Sequence, residues 1–179
     1  MQRKIVNPLI KDTVTFLQTA EESKGKVTEL EITLMPGGSN ALHYHKTYSE
    51  TFIAIEGKLG LRLGKRETKI LNPGESHTVE PMSAHSFFNP SDTEIKFNIT
   101  IAPGHAGFEN SLRIGYGLAA DGLTNKKTIP KSIKHTALLV CMSDMNVPGV
   151  LTLIFPLLKR IANKARATGE EQRLINKYC

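Results

Sequence analysis

Cysteine is scarce in this chain of 179 residues. The two cysteines, Cys141 and Cys179, stand 38 residues apart, a spacing that gives neither a disulfide framework nor the paired cysteines of a structural zinc site. The first residues also lack the basic and then apolar leader of a secreted protein, so we expect no signal peptide. These absences together predict a protein of the reducing cytoplasm.

The chain also lacks an uninterrupted apolar run of membrane-spanning length. Residues 137–158 come nearest, but Asp144, Pro148 and Pro156 interrupt them, and we expect no spanning helix there. Two interpretations of this stretch remain. We favour a helical hairpin packed on the rest of the chain or on a second subunit, and the alternative is an amphipathic segment in peripheral contact with a membrane.

Basic residues are abundant, but they are unevenly distributed. The formal net charge is +6 and the pI is about 9.3, which brings nucleic acid and acidic membranes into consideration. Residues 1–124 carry 13 Lys and Arg against 14 Asp and Glu, whereas residues 125–179 carry 10 against 3. Pro156 and the apolar character of this last part disfavour a DNA-binding helix-turn-helix, so nucleic acid is not the expected partner.

Apolar and polar residues alternate through much of residues 27–101. Three runs show the period of two that is typical of strands with one buried face, at residues 30–34, 59–63 and 95–101. Turn signals such as Asn72-Pro73-Gly74 separate the runs. Short strands at this spacing predict an antiparallel sandwich or barrel.

The alternation ends after Pro103. Residues 104–130 contain several glycines and asparagines, and we expect them to be irregular. Helical spacing of apolar residues follows, first at Leu138, Leu139 and Met142, and then after Pro148 in a longer stripe. Pro148 suits the first turn of that second helix, whereas Pro156 should kink or shorten it.

The chain is therefore expected to have four parts. They are an N-terminal arm (residues 1–26), a β-barrel (27–103), a connecting segment (104–130) and a basic helical extension (131–179) that contains a pair of α-helices.

Three histidines and one glutamate are spaced like metal ligands. His43 and His45 are separated by one residue, so a strand points both imidazoles to the same face. Glu50 follows after a gap in which the chain can turn onto a neighbouring strand, and His85 lies 40 residues beyond His45. Such ligands suit one divalent transition-metal ion (Fe, Mn, Ni, Cu, Co or Zn) and leave up to about two positions of an octahedral ion open.

The same residues resemble the two sequence motifs of the cupin superfamily. The first motif is matched at every fixed position, by Gly37, His43-Tyr44-His45, Glu50 and Gly57. The second is matched by Gly74, His85 and Asn89, but Glu80 and Met82 stand where it has proline and glycine. We therefore expect the turn before His85 to be shaped differently while the ligand is retained.

The chain thus resembles a small stand-alone bacterial cupin (a monocupin of type 2, RmlC-like). Residues 108–130 are similar to a subgroup of these proteins that carries a helical C-terminal extension. The resemblance implies a mainly β fold, the antiparallel double-stranded β-helix or jelly roll. It also implies that the metal ligands are His43, His45, Glu50 and His85.

Strand parity predicts the lining of a pocket around this site. Phe52 and Ala54 share parity with Glu50, Phe87 shares parity with His85, and Tyr48 lies in the loop before Glu50, at the predicted mouth. An apolar wall of this kind favours a hydrophobic or aromatic substrate over a sugar.

Several functions are compatible with such a site, and the sequence leaves open whether the protein is an enzyme. The first hypothesis is a dioxygenase-like enzyme that acts on a small organic substrate, with Glu50 as the group that transfers a proton. The alternatives are a metal-assisted isomerase or lyase, and a non-catalytic module that binds or senses a small molecule. The resemblance further implies a homodimer.

Overall fold

The computed structural model describes residues 2–10 and 12–179. Within them, nine strands form two antiparallel sheets. The strands are β1 (Lys4–Asn7), β2 (Asp12–Gln18), β3 (Thr28–Leu34), β4 (Ser49–Glu56), β5 (Leu59–Leu63), β6 (Glu67–Leu71), β7 (Ser76–Val79), β8 (His85–Phe88) and β9 (Ile95–Ala102).

The larger sheet has the strand order β1-β2-β3-β9-β4-β7, and the smaller one has the order β6-β5-β8. Alternate residues of β3 and β9 are buried, among them Leu30, Ile32, Phe97 and Ile99. They pack with Leu61 and other residues of the smaller sheet in one apolar cluster, so the core lies between the two sheets.

The predicted mainly β, double-sheet fold is therefore confirmed. In the described residues the strands belong to two separate sheets rather than to one closed barrel. The N-terminal segment that the sequence predicts as an arm supplies β1 and β2, which extend the larger sheet at one edge. Val14 and Phe16 of β2 point into the core, which explains why this short segment pairs with the sheet.

Four α-helices and one 3₁₀ helix are seen in the described part of the chain. They are α1 (Ala106–Ala120), α2 (Ile133–Met142), the 3₁₀ helix (Val150–Ile154), α3 (Phe155–Ala167) and α4 (Glu170–Tyr178). The predicted pair of C-terminal helices is present as α2 and α3, and α4 follows them as a third helix that the sequence analysis did not predict. The second of them starts later than predicted, at Phe155 instead of Pro148, because Pro156 lacks an N–H and fits only the first turn of an α-helix.

The expectation that residues 104–130 are irregular is wrong, because α1 occupies fifteen of them. The His105 side chain caps the helix by accepting a hydrogen bond from the Phe108 N–H. Two glycines lower the helical propensity of this segment, but they allow α1 to pack closely against its neighbours. A Cβ on Gly107 would collide with the Met142 carbonyl, and one on Gly117 would collide with the Tyr178 ring.

Helix α1 connects the sheets to the other helices. Glu109 is buried, and its Oε1 accepts hydrogen bonds from Ala20 N and Thr28 Oγ1, both at 2.6 Å. Tyr116 donates a 2.5 Å hydrogen bond to Asp12 of β2. The opposite face of α1 packs in a second apolar cluster. This cluster consists of Ile114, Leu118, Ala137, Leu138, Met142, Ala162, Ala165 and Leu174.

The sequence analysis also made expectations about membrane-spanning helices and about the cysteines. No helix in residues 2–10 and 12–179 combines the length and the apolar character needed to cross a membrane. Cys141 and Cys179 are both free thiols and half-buried.

Candidate metal centre

The four predicted ligands come together from both sheets. Glu50 lies on β4 of the larger sheet, and His85 begins β8 of the smaller sheet. His43 forms an isolated bridge with His85, in which each backbone N–H donates to the other's carbonyl, at 3.0 and 2.7 Å. The segment that carries His43 and His45 therefore borders the smaller sheet and brings both imidazoles opposite Glu50.

The resulting cluster is compact and buried. One ligand atom from each of the four side chains lies within 4.8 Å of all the others, and each residue is at most 4% exposed. Glu50 Oε2 is 2.5 Å from His85 Nε2 and 3.7 Å from His45 Nε2. The carboxylate therefore lies between two of the imidazoles.

Each histidine is oriented by a hydrogen bond from Nδ1 to a backbone carbonyl. The acceptors are Ala41 O for His43 (2.7 Å), Asp144 O for His45 (3.3 Å) and Ser83 O for His85 (3.0 Å). A carbonyl oxygen only accepts, so Nδ1 carries the proton in each ring. This arrangement turns each Nε2 toward the centre of the cluster, which is how ligand histidines are held in metalloproteins.

Burial and hydrogen bonding together set the charge of the cluster. Burial lowers the pKa of His43 to about 4 and also lowers the pKa of His45, so both rings are neutral at pH 7. For Glu50, burial alone would raise the pKa, but the hydrogen bond from His85 and the nearby histidines outweigh it and lower the pKa. For His85, burial alone would lower the pKa, but the bond to Glu50 raises it.

These residues fit a divalent ion. His45 Nε2 is buried and has no hydrogen-bond partner among the described residues. Metal–nitrogen and metal–oxygen bonds are about 2.0–2.2 Å, so donors on opposite sides of one ion are about 4.0–4.4 Å apart. The observed 4.8 Å limit requires only a small contraction. Three imidazole nitrogens and one carboxylate oxygen are donors that first-row transition metals accept.

Of the pocket candidates on the strands, Phe52 lies next to this cluster. Phe52 is buried with its ring centroid 5.8 Å from that of His85, and Ala54 is fully buried in the core between the sheets. Phe87 is half-buried and packs against Phe52 and Phe97, with centroids 6.4 and 5.1 Å away. The side of the cluster toward the core is therefore aromatic.

Tyr48 does not lie at a pocket mouth as predicted. It is 1% exposed, and its ring stacks on that of His45 with centroids 4.3 Å apart. Its hydroxyl donates a 2.8 Å hydrogen bond to Ser143 O, the carbonyl that follows α2. The helical part of the chain covers this loop, which a pattern of strand residues does not indicate.

The turn before His85 keeps the conformation for which glycine is suited. Met82, at the motif's glycine position, has a φ of 68°, and its N–H donates a 2.7 Å hydrogen bond to His45 O. The expected difference in turn shape is therefore not found at this residue. The motif glycines Gly37, Gly57 and Gly74 also have positive φ values, of 73°, 73° and 87°.

Sequence reasoning missed two groups of residues at the site. Phe108 of α1 approaches edge-on, with its ring centroid 6.5 Å from that of His45. Residues 143–146 contact the loop that carries His45 through backbone and side-chain hydrogen bonds. The only signal for the second group was that Asp144 and Asn146 interrupt an otherwise apolar stretch.

Comparison with known proteins assigns the fold. Residues 30–102 match the family model described as "Cupin domain". No curated protein is significantly similar in sequence to the chain.

An RmlC-like cupin from Shewanella frigidimarina superimposes with a TM-score of 0.50 at 20% identity, over 60% of this chain and 89% of that one. A predicted oxalate decarboxylase from Thermotoga maritima has a TM-score of 0.49 at 20% identity, with 52% and 81% coverage. The polyketide cyclase RemF from Streptomyces resistomycificus has a TM-score of 0.46 at 22% identity, with 51% and 64% coverage. At 20% identity, the likeness to the Shewanella protein concerns the fold alone. Residues 30–102 are a cupin domain, to which the chain adds a helical C-terminal part.

Proposed function

We propose that His43, His45, Glu50 and His85 bind one divalent transition-metal ion, and that the protein uses it in an oxygenase-type reaction on a small organic substrate. One observation carries the proposal. Three imidazoles, each with its Nδ1 hydrogen-bonded to a carbonyl, aim Nε2 at the same buried point as one carboxylate.

The histidines and Glu50 have different proposed roles at this site. A bound divalent ion supplies Lewis acidity toward a substrate oxygen and, if it is redox-active, the means to activate dioxygen. The histidines hold fixed positions, and His43 and His45 remain neutral because they are buried. Glu50, already 2.5 Å from His85 Nε2, is the group proposed to accept or return a proton of the substrate.

The surroundings of the site favour one class of substrate. Phe52 lies beside His85 and packs with Phe87 and Phe97 in an aromatic group, and Tyr48 covers His45 from another side. Such a surface stabilises apolar and planar groups better than hydroxyl-rich ones. We therefore propose a phenolic or diketone compound, whose oxygen approaches the ion while its apolar part contacts the phenylalanines.

Metal analysis tests the ligand assignment. We expect the wild-type protein, purified without chelators, to bind one ion per chain, and the variants His43→Ala and His85→Ala to lose it. His77→Ala is the matched control, because His77 lies on β7 beside Lys69, outside the cluster. Stoichiometric metal in both ligand variants would contradict the assignment.

Anaerobic metal loading followed by an oxygen-uptake screen over phenolic and diketone compounds tests the reaction. Iron, manganese, copper or nickel with substrate-dependent uptake supports an oxygenase. Zinc without uptake favours the alternatives, which are a metal-assisted isomerase or lyase and a non-catalytic binding or sensing module. The four ligands alone do not distinguish the oxygenase from these alternatives, because one fold supports many reactions.

Two further predictions from the sequence remain proposals. Leu153, Ile154 and Leu157 are exposed to 79%, 46% and 57% on the 3₁₀ helix and α3, near the basic Lys159 and Arg160. We propose that this apolar face contacts a second copy of the chain in a homodimer, with peripheral membrane contact as the alternative. The cytoplasmic location also remains a prediction.

A further inference from the structure

The segment that follows α2, residues 143–146, is hydrogen-bonded to the loop that contains His45. The backbones of Tyr44 and Asn146 form an isolated bridge, in which each N–H donates to the other's carbonyl at 2.9 Å. Tyr48, at the other end of the loop, donates to Ser143 O at 2.8 Å. The helical part of the chain is therefore attached to both ends of this loop.

Asp144 holds the middle of the loop in two ways. Its carboxylate Oδ2 accepts hydrogen bonds from Lys46 N (2.7 Å), Thr47 N (2.9 Å) and Thr47 Oγ1 (2.9 Å). Its backbone carbonyl accepts the bond from His45 Nδ1 at 3.3 Å. Asp144 makes both contacts from a left-handed backbone conformation, with a φ of 51°, which aspartate tolerates better than most residues.

The three histidines differ in where their carbonyl acceptors lie. His43 and His85 use carbonyls two residues before them, Ala41 and Ser83, so the cupin domain provides these acceptors. His45 uses a carbonyl 99 residues later in the sequence, outside the region that matches the cupin model. A cupin domain without the helical part would therefore leave His45 without this acceptor.

We propose that residues 143–146 complete the metal centre from outside the cupin domain, with Asp144 as the positioning residue for His45. This inference rests on the proposed metal site. Asp144 fixes the backbone after His45 through its carboxylate and fixes the ring through its carbonyl. Metal binding and the docking of the helical part on the loop are thereby linked, and each stabilises the other.

The first test measures metal affinity in full-length variants. Asp144→Gly keeps the left-handed backbone accessible but removes the carboxylate, whereas Asp144→Asn retains an oxygen that can accept from Lys46 N and Thr47 N. Loss of a residue that supports a ligand typically costs about 10- to 100-fold in metal affinity. We expect a loss of that size for Asp144→Gly and recovery of most of it in Asp144→Asn, measured with Co²⁺ by competition against a chelator.

Two readouts separate positioning from a general loss of structure. The visible absorption spectrum of bound Co²⁺ should change in Asp144→Gly, because a displaced imidazole alters the coordination geometry. Asp92→Gly is the matched control, since Asp92 is an exposed residue of the loop between β8 and β9, and it should leave affinity and spectrum unchanged. Circular dichroism confirms that each variant is folded at the assay temperature.

A third readout needs no metal. Long-range ¹H–¹⁵N spectra of the histidine side chains report which ring nitrogen carries the proton. In the metal-free wild type we expect the Nδ1–H tautomer for both His43 and His45, and in Asp144→Gly we expect a mixture for His45 alone. If wild-type protein binds no metal, the proposed function fails, and these spectra still decide the present inference.

Two outcomes would overturn it. One is an Asp144→Gly protein with wild-type Co²⁺ affinity, Co²⁺ spectrum and His45 tautomer. The other is an equal loss in Asp144→Gly and Asp144→Asn with an unchanged His45 tautomer, which would mean that Asp144 contributes to folding alone.

Discussion

The two apolar clusters of this protein differ in what they enclose. The cluster between the sheets adjoins four buried ionisable side chains, His43, His45, Glu50 and His85. The helical cluster is built from alanine, leucine, isoleucine and methionine, and ion pairs such as Lys177–Asp121 lie on its exposed outer surface. Buried polar groups reduce stability unless they are fully paired, so the four side chains carry an energetic cost that the apolar residues of the helical cluster do not.

The largest effects should come from breaking either cluster. Leu30 lies between the sheets and Leu138 lies in the helical cluster, and neither is exposed. We expect Leu30→Ala and Leu138→Ala each to lower the free energy of unfolding by about 2–5 kcal/mol. Because α1 packs in both clusters, each variant should still unfold in one transition in urea.

Ile133→Ala is the control, since Ile133 is 57% exposed and its loss should change stability by less than about 0.5 kcal/mol. Two transitions in Leu138→Ala would show that the helical region unfolds independently. The comparison would then be one between two separate domains.

A smaller, pH-dependent effect is expected at the junction of the two regions. Burial raises the pKa of Asp12 from 3.8 to about 6, although the hydrogen bond from Tyr116 opposes this. The folded state therefore holds a proton that the unfolded state releases, and stability falls as pH rises from about 4 to about 6. By pH 8 the loss from this group is about 2–3 kcal/mol.

Asp12→Asn cannot ionise, yet its amide oxygen can still accept from Tyr116. Urea unfolding of both proteins at pH 4 and pH 8 measures the effect, since other carboxyl groups titrate in both and cancel in the difference. We expect the variant to gain stability relative to wild type at pH 8. An identical pH dependence for the two proteins would argue against a raised pKa.

The smallest effect should come from the turn before His85. Met82 is 62% exposed and has a positive φ, so its side chain contributes little packing and its backbone is strained. We expect Met82→Gly to raise the free energy of unfolding by about 0.5–1 kcal/mol, because glycine adopts this conformation without the steric cost. Met82→Ala retains the strain and should give no gain in thermal unfolding.

The sheets and the meeting of the four candidate ligands could be predicted because their signals are local. Alternating residues of β3 and β9 indicate the buried face, and the spacing of His43, His45, Glu50 and His85 predicts that these side chains come together. Helix α1 could not be predicted, because Gly107 and Gly117 are typical of loops. They are required here by the Met142 carbonyl and the Tyr178 ring, which are distant in the sequence.

The contacts that cover the site also could not be predicted, because they join residues that are distant in the sequence. Tyr48 was expected at a pocket mouth, but Ser143 binds its hydroxyl across 95 residues of sequence. No periodicity within either segment reports such a contact. Long-range hydrogen bonds between irregular segments are therefore the part of this molecule that sequence patterns do not indicate.

The distance along the chain between His45 and Asp144 has a consequence for protein synthesis. A ribosome releases the cupin domain first, and His43 and His85 then already have their acceptor carbonyls. The acceptor for His45 emerges 99 residues after it. The nascent domain thus lacks one support of the cluster, and under the proposed function we expect the ion to be acquired late in the maturation of this protein.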